Sequence, residues 1–488
     1  MAKYIYRFRS MDAALHGHHE LETQGIHLAS PETLNDPMEG YRDVFWQGDV
    51  ILWRNLFKHY LLCLVRAYEE CLWTADNDFE EPAIDGKLTE TNLPTDNYRS
   101  LVGEAKNLFF LEDRILQLIK FLSDWTAPVS KDQLLFHLSQ VHPFAIQAVH
   151  EVFSKHVLVG ADALRLSPRR EVNFGQLHNL IADGNAPVIP HLWEMGAQII
   201  SQQNLRLLYN QRTQAPTRTS KKRDWLVLHF PGRYIEALID SLIHPPWYTA
   251  CFSGSCDNAS MWSTYGDNHR GIALMFQPEG DPPGNLSLML DGVTGSSFVA
   301  GRKPQSAPLF GRTPHQLKNV DYSAGAARID FFRYIGQLPH SALLRTWWCD
   351  ESNNISPRVL DIGNDMQKWR SQLWSFLYEC AIRKLPDWAY EQEYRIVVPD
   401  MTGLRAEHPN LKYDFCSLAG IVFGMRASDN DKVAAIEIVE RKCRKNRRMD
   451  FQFFQARYSS TLGKLVVSPM SFLKFAQDAE DTPSGSSA

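Results

Sequence analysis

The chain has 488 residues, of which 44% are apolar and 22% are charged, and its formal net charge is −5. These values are ordinary for a globular chain of two or three domains. The small net charge argues against nucleic-acid binding over the whole surface, and only a local basic patch would serve that purpose.

The eight cysteines are scattered and form no CxxC pair. This pattern argues against a zinc ribbon or a disulfide scaffold and is typical of a reducing cytoplasm. The first residues, MAKYIYRFRS, contain no long apolar run, so we expect no signal peptide. The most apolar stretch, 51–73, carries five charged residues, which predicts a buried amphipathic helix and not a membrane span. We therefore expect a cytoplasmic protein without membrane contact.

The first 45 residues predict a strand, a helix and a second strand. KYIYRFR contains β-favouring aromatic residues, and MDAALHGHHELETQ follows as a helix with Ser10 or Asp12 near its cap. GIHLAS is the second short strand. It leads into PETLNDPMEG, a loop rich in Pro, Asn, Asp and Gly.

Residues 46–235 predict a helical insertion. In LFFLEDRILQLIKFL, at 108–122, apolar residues recur at spacings of three and four, which indicates one continuous helix. LLFHLSQVHPFAIQAVHEVF and HLWEMGAQIISQQNLRLLYNQ also predict helices, and the polar, basic segment 211–224 predicts an exposed loop.

Short strands return after about residue 245. YTACFSG, GIALMF, YRIVV, GIVFG and DFQFFQARY are strand candidates, and DNDKVAAIEIVERKCRKN is a helix between the last two. The pattern predicts an α+β fold: a small split β-sheet core from residues 1–45 and 236–475, a large α-helical insertion at 46–235, and a disordered tail at 476–488.

Three polar clusters fall at predicted strand ends or in loops, where functional sites are usually built. They are Asn35-Asp36-Pro37, the stretch MWSTYGDNHRG at 261–271, and WAYEQEYRIVV at 388–398. If the last stretch is one strand, Glu391, Glu393 and Arg395 stand in a row on one face. Two like charges about 7 Å apart repel by about 2 kcal/mol, so we expect Arg395 or a cationic ligand beside the two carboxylates.

Each cluster also has a purely structural interpretation. An Asx turn before Pro37 explains the first, and a helical turn with a solvated face explains the second. The third is explained by an ion row that faces solvent on an edge strand.

Several stretches, in this order, resemble the bacterial domain of unknown function 2971 family. They are YRFRS, HLASPETLNDPMEG, CFSG with MWSTYGDNHRGIAL, VDYSA, WAYEQEYRIVV and IVFGMRAS. The resemblance covers residues 1–45 and about 245–470, whereas 46–235 departs from the family in length. The family itself supplies no established reaction.

A second resemblance is to the ADP-ribosyltransferase fold, a small split sheet that clasps NAD. That fold typically uses an Arg or His on its first strand, a Ser or Tyr on a second, and a Glu on a later strand. Arg9, Tyr265 with Ser263, and Glu393 with Glu391 occupy comparable places in chain order, although the fold's Ser-Thr-Ser strand is not found. The resemblance implies an NAD-using transferase, a bacterial toxin or antiviral defence effector that modifies a protein or nucleic-acid acceptor.

The resemblance also assigns roles. Cleavage of the nicotinamide–ribose bond passes through an oxocarbenium-like state, which Glu393 would stabilise while Glu391 orients or deprotonates the acceptor and Tyr265 completes the catalytic set. Arg9 would bind the pyrophosphate and Trp262 would stack on nicotinamide. The other expected NAD-binding residues are Ser30, Asn35, Asp36, Ser263, His269 and Arg395. This interpretation involves no metal, and it requires Arg9, Tyr265 and Glu393 to line one cleft.

Two alternatives stay open. One is a nuclease that holds a metal ion with Asp36, His269, Glu391 and Glu393 and cleaves nucleic acid. The other is a non-enzymatic recognition module whose helical insertion binds a protein partner.

Overall fold

The computed structural model describes residues 4–36, 38, 42–75, 78–156, 189–214, 221–243, 246–280, 286–299, 305–323, 327–400 and 407–471. Contacts divide the chain into two compact units. The first comprises Met1–Tyr41, Pro246–Ala326 and Tyr378–Ala488, and the second comprises Arg42–Pro245 and Ala327–Leu377.

The strands form three sheets. They are β1 Ile5–Arg9, β2 Gly25–His27, β3 Arg42–Phe45, β4 Trp247–Ser253, β5 Ile272–Phe276, β6 Ser287–Val299, β7 Gln305–Gln316, β8 Lys318–Asn319, β9 Ala327–Asp330, β10 Glu393–Pro399, β11 Asn410–Tyr413, β12 Leu418–Phe423, β13 Gln452–Ser459 and β14 Lys464–Pro469. The first unit holds an eight-stranded sheet in the order β14-β13-β12-β5-β1-β4-β10-β8 and a four-stranded sheet in the order β2-β11-β6-β7. The second unit holds the pair β3-β9.

The helices are mainly in the second unit. The α-helices are Glu20–Thr23, Val50–Trp73, Asp96–Phe110, Asp113–Asp124, Lys131–His156, Ile189–Gln214, Lys221–Asp224, Phe230–Leu238, Ala259–Thr264, His340–Leu343, Leu360–Asn364, Met366–Ala381 and Asp429–Lys445. Short 3₁₀ segments are Pro31–Thr33, Glu90–Asn92, Phe331–Arg333, Pro357–Val359, Pro386–Glu391 and Phe415–Ser417, and π segments are Asp12–His16, Trp225–His229, Ile239–Ile243 and Leu344–Trp348. Within the ranges given above, no helix has both the length and the apolar composition needed to cross a membrane.

The centre of the eight-stranded sheet is covered on both faces. Every residue of β5, IALMF, and of β12, LAGIVF, is buried. Continuous apolar runs of this kind are typical of strands that bury both faces, whereas half-exposed strands alternate. These two strands therefore mark the core of the first unit.

The register of the sheet decides which side chains share a face. Tyr6 of β1 lies opposite Ser253 of β4, and Ser253 lies opposite Glu393 of β10. Residues directly opposite in antiparallel pairs point to the same face, and successive residues of a strand alternate. Tyr6, Ser253 and Glu393 therefore share one face of the sheet, and Arg9 points to the other.

The expected mixed α and β composition is confirmed, and each of the strand candidates after residue 245 overlaps an observed strand. Three local expectations are wrong. The helix predicted over 108–122 breaks into two at residues 111–112, where Leu111 is exposed. The helix predicted after Ser10 is a π segment followed by a single α-turn, and the predicted loop 211–224 is helical at both ends.

The two compact units differ in one respect from the division expected from the sequence. The described elements inside 46–235 are all helical. The second unit also takes in Arg42–Phe45, residues 236–245 and Ala327–Leu377, which the sequence pattern assigns to the core. The tail 476–488 lies outside the described residues.

Candidate functional site

The stretch 388–398 is not one strand. Pro386–Glu391 forms a 3₁₀ segment, and Gln392 follows with a φ of 47°, in the left-handed region. β10 begins only at Glu393. The predicted row of three charged side chains on one strand face is therefore wrong, since Glu391 lies in the 3₁₀ segment and a left-handed residue separates it from the strand.

The solvent-facing ion row is wrong as well. β10 lies between β4 and β8 and is not an edge strand. Glu391, Glu393 and Arg395 are 2%, 4% and 0% exposed. Charged side chains are rarely buried to this degree unless they are paired.

A fourth residue, Lys384, completes a buried ion network. Arg395 binds Glu393 with two hydrogen bonds, Nε to Oε1 at 2.6 Å and Nη2 to Oε2 at 2.9 Å. The Lys384 ammonium donates to Oε2 of Glu391 at 2.7 Å and lies 3.6 Å from Oε2 of Glu393. The charges of the two carboxylates and the two cations therefore cancel. This compensates the repulsion between Glu391 and Glu393 that the sequence predicted.

Glu391 connects this network to the surface. The Tyr265 hydroxyl lies 2.7 Å from Oε1 of Glu391 and 2.9 Å from Oδ1 of Asn35. Asn35 is exposed, Tyr265 is half-buried and Glu391 is buried. The structure thus brings together one residue from each of the three polar clusters, which are separated by more than 100 residues in the chain.

The backbone around Glu391 is held from several sides. Ser253 Oγ donates to the Glu391 carbonyl at 2.7 Å, and Asn258 Nδ2 donates to the Tyr390 carbonyl at 3.1 Å. The backbone N–H of Glu393 donates to the Tyr322 hydroxyl at 2.9 Å. These bonds fix the 3₁₀ segment and the start of β10, so the carboxylates are held in place before any ligand binds.

The two carboxylates differ electrostatically. Burial raises the pKa of Glu391 by more than Lys384 and Tyr265 lower it, so its pKa lies above the usual value. Burial also acts on Glu393, but Arg395 and Lys384 outweigh it and hold the pKa of this carboxyl below its usual value. The two carboxylates therefore differ in how readily they take up a proton, and Glu391 does so at higher pH than Glu393.

Arg9 does not belong to this site. It lies on the opposite sheet face, where its Nε donates to Oε2 of Glu20 at 2.6 Å and its Nη2 donates to Oε1. Glu20 is buried, so the pair is a structural ion bridge. The expectation that Arg9, Tyr265 and Glu393 line one cleft is wrong for Arg9, because strand alternation places odd and even residues of β1 on different faces.

Trp262 is a core residue and not an open stacking platform. Its side chain is fully buried, it packs edge-on against Phe8 with ring centroids 4.9 Å apart, and its Nε1 donates to the Cys256 carbonyl at 2.8 Å. His269 stacks on the same ring system at 6.4 Å and has a positive φ of 69°. Burial, and then Arg426, lower the pKa of His269. The expected stacking of nicotinamide on Trp262 therefore has no accessible face.

The remaining candidate residues, Ser30, Asp36 and Ser263, lie in local turns or on a short helix. Oδ1 of Asp36 accepts from the backbone N–H of Met38 at 2.9 Å, which is the Asx turn of the structural interpretation. Oδ2 of Asp36 is buried without a partner among the described residues. Ser30 precedes the 3₁₀ segment Pro31–Thr33, and Ser263 is exposed on the short helix Ala259–Thr264.

Nothing matches this chain among protein-family models, curated proteins or solved structures. The resemblances to the domain of unknown function 2971 family and to the ADP-ribosyltransferase fold therefore stay predictions. Within the described ranges, no three His, Cys, Asp or Glu side chains are grouped so that they could hold a metal ion, and Asp36, His269, Glu391 and Glu393 form no such group.

Sequence reasoning missed Lys384 and Ser253. Lys384 sits in a non-repetitive stretch, AIRKLPDW, where nothing in the pattern sets it apart from an exposed lysine. One signal was present: two carboxylates and one guanidinium leave a net negative charge, and a buried site demands a second cation. The charges of Glu391, Glu393 and Arg395 therefore indicate a further cation, such as a lysine close to position 391.

Proposed function

We propose that the first unit cleaves the nicotinamide–ribose bond of NAD in the manner of an ADP-ribosyltransferase, with Glu391 and Tyr265 as its reacting pair. The proposal gives Arg9 no part and so abandons the cleft of Arg9, Tyr265 and Glu393 that the resemblance required. One observation carries the proposal: the Tyr265 hydroxyl joins the exposed Asn35 to the buried carboxylate of Glu391. A hydroxyl between a solvent-facing amide and a carboxylate with a raised pKa is an arrangement suited to proton transfer at the surface.

The Tyr265 hydroxyl has one proton and two acceptor oxygens within hydrogen-bond distance. It donates to only one of them at a time. A sugar hydroxyl that takes the place of the Asn35 amide oxygen would therefore bind to Tyr265 while Glu391 stays in contact with it. In the proposal, a ribose bound in this way would lie beside the carboxylate.

The proposed reaction replaces the nicotinamide on the ribose with an acceptor group. The bond between the ribose C1′ and the nicotinamide nitrogen breaks, and its electron pair leaves with nicotinamide. The carboxylate of Glu391 stabilises the positive charge that develops on the ribose. An acceptor hydroxyl, amine or water then bonds to C1′ and gives its proton to Glu391, whose raised pKa makes it a competent base.

The proposal changes the role of Glu393. Both of its oxygens accept from Arg395, and the side chain is almost completely buried. In the revised assignment Glu393 and Lys384 are positioning residues that hold Glu391 in place, and Glu391 has the role first assigned to Glu393.

The test is nicotinamide release from NAD by the purified chain, alone and with cell extract as a source of acceptor. Glu391→Gln should lower the rate by about 100-fold or more. Glu437→Gln is the matched control, because Glu437 is exposed on the helix Asp429–Lys445 of the same unit. No nicotinamide release by the parent chain under either condition would refute the proposal.

A role in protein recognition has one supporting observation. The helix Ile189–Gln214 exposes a row of apolar side chains, Leu192, Met195, Ile199, Leu205 and Tyr209. Exposed apolar patches of this kind often mark interaction sites. The test is the capture of a protein partner by the full chain. A double variant, Met195→Glu with Ile199→Glu, that loses the partner but keeps its secondary structure would favour this function for the helical unit.

A further inference from the structure

A cavity of about 440 Å³ opens on the second unit. One wall is the helix Val50–Trp73, which contributes residues at positions 55, 58, 59 and 62, the spacing of one helix face. A second wall is residues 89–91, and the third is residues 341–351. The volume lies within the range of small-molecule binding sites.

The first and third walls are tied to one another by buried hydrogen bonds, and the second wall and His59 have bonds of their own. Asn55 Nδ2 donates to the carbonyls of Trp347 and Cys349 at 3.0 and 2.8 Å. The hydroxyls of Thr89 and Thr91 lie 2.8 Å apart. His59 is buried beside the cavity with Nδ1 3.0 Å from the Tyr234 hydroxyl. The Asn55 bonds hold the helix Val50–Trp73 against residues 347–349, so this part of the cavity is preformed.

Each carboxylate that lines the cavity has its own partners. Glu351 pairs with Lys58 and, at 3.5 Å, with Nε of Arg54. Glu90 pairs with Lys106. Asp350 accepts from the backbone N–H groups of Ser352 and Asn354 and from Nδ2 of Asn354, at 2.8–2.9 Å.

The hydrogen-bond donors on the third wall differ from these carboxylates, because they have no partner among the described residues. Arg345 lines the cavity and forms no hydrogen bond or ion pair with any residue that the structure describes. The side-chain hydroxyls of Ser341 and Thr346, on the same wall, likewise have no partner within the described ranges. Among the residues that the structure describes, the cavity thus presents one unpaired guanidinium and two unpaired hydroxyls, next to the half-buried Ala342 and the buried Leu62.

We infer that this cavity binds a small organic anion, with its acidic group on Arg345, Ser341 and Thr346 and its apolar body over Leu62 and Ala342. Guanidinium forks match the oxygens of carboxylates and of phosphate or sulfonate groups. A single negative charge fits best, because the described lining offers one unpaired cation, Arg345, and three paired carboxylates lie close by. The inference is independent of the function proposed for the first unit.

The probe is 8-anilinonaphthalene-1-sulfonate, a singly charged organic anion with an apolar body whose fluorescence rises when it binds. The full chain should show saturable binding at one site. Arg345→Gln should raise the dissociation constant about 10-fold or more, and Ala342→Trp should remove the site by filling it. Arg206→Gln, which alters an exposed arginine on the helix Ile189–Gln214 of the same unit, should change nothing.

The charge preference is tested by competition. Benzoate should displace the probe, whereas neutral benzyl alcohol at the same concentration should not. Circular dichroism and melting temperature confirm that each variant is folded, and Arg345→Gln should pass because Arg345 is exposed. Absence of saturable binding by the parent, equal binding by Arg345→Gln, or equal displacement by benzyl alcohol would each overturn the inference.

Discussion

Lys384 places its ammonium group between two buried carboxylates, 2.7 Å from Glu391 and 3.6 Å from Glu393. It lies seven residues before one of them and nine before the other. Its side chain also packs over the Trp388 ring, 4.6 Å from the centroid. The single lysine therefore compensates the charge that Arg395 leaves unbalanced in the network.

Removal of this lysine should be severely destabilising. Lys384→Met should lower the free energy of unfolding of the first unit by about 3–5 kcal/mol, because it leaves an uncompensated charge in the core. The double variant Lys384→Met with Glu391→Gln should recover at least about 1 kcal/mol, since it also removes one carboxylate. Urea titrations followed by tryptophan fluorescence measure both, and additive effects would contradict the network.

Tyr265→Phe separates the proposed chemistry from stability. The change removes one hydroxyl at a half-buried position, so stability should fall by only about 1 kcal/mol. Nicotinamide release should nevertheless fall by about 100-fold if the hydroxyl holds the ribose beside Glu391. A rate within threefold of the parent, measured on folded protein, would remove Tyr265 from the reacting pair.

The pH dependence of the rate should follow Glu391. Its carboxylate is the reacting form, and burial raises its pKa above the usual value. The rate should therefore fall as the pH drops through that raised pKa, and at higher pH than for an ordinary glutamate. Residual activity of Glu391→Gln should lack this limb, and an identical pH profile in the variant would assign the dependence to another group.

Half of the described strands could be predicted from the sequence, since their signals are local, whereas the long strands β6 and β7 were missed. The apolar runs IALMF and LAGIVF became the buried strands β5 and β12, and the aromatic stretch at the start became β1. The pairing of Tyr6 with Ser253 joins residues almost 250 positions apart, and no local pattern specifies it. Without that register the face of Arg9 was undetermined.

Part of the candidate site could be predicted from the sequence. Asn35, Tyr265 and Glu391 stood out as polar residues at strand ends, and the structure joins them. The left-handed conformation of Gln392 has no sequence signal, because non-glycine residues adopt it only where the surrounding structure requires it. That one residue moves Glu391 off the strand and gives the two glutamates different environments.

Arg9→Gln tests the separation of the two sheet faces. Glu20 would lose its partner in a buried position, so stability should fall by about 2 kcal/mol or more. The NAD-cleaving rate per folded molecule should stay the same, because Arg9 points away from Glu391. A large rise in the Michaelis constant for NAD without loss of stability would instead restore Arg9 as a ligand for the pyrophosphate.

Acid should destabilise the second unit through its buried histidines. Burial lowers the pKa of His137 to about 3, and His59 and His142 are lowered to about 4. The unfolded chain takes up these protons near pH 6.5, whereas the folded chain does so only at lower pH. The stability from each neutral histidine is therefore complete above pH 6.5 and is lost progressively as the pH falls.

His137→Phe isolates one of these contributions. His137 packs against Trp193 with ring centroids 4.6 Å apart, and its Nε2 is buried without a partner among the described residues. From pH 7.5 to pH 5 the variant should lose about 2 kcal/mol less stability than the parent, which is the linkage value for about 1.5 pH units below 6.5. His191→Gln, on an exposed side chain of the same unit, is the control and should match the parent. Urea titrations at each pH measure the difference, and parallel losses in parent and His137→Phe would show that the acid sensitivity arises elsewhere.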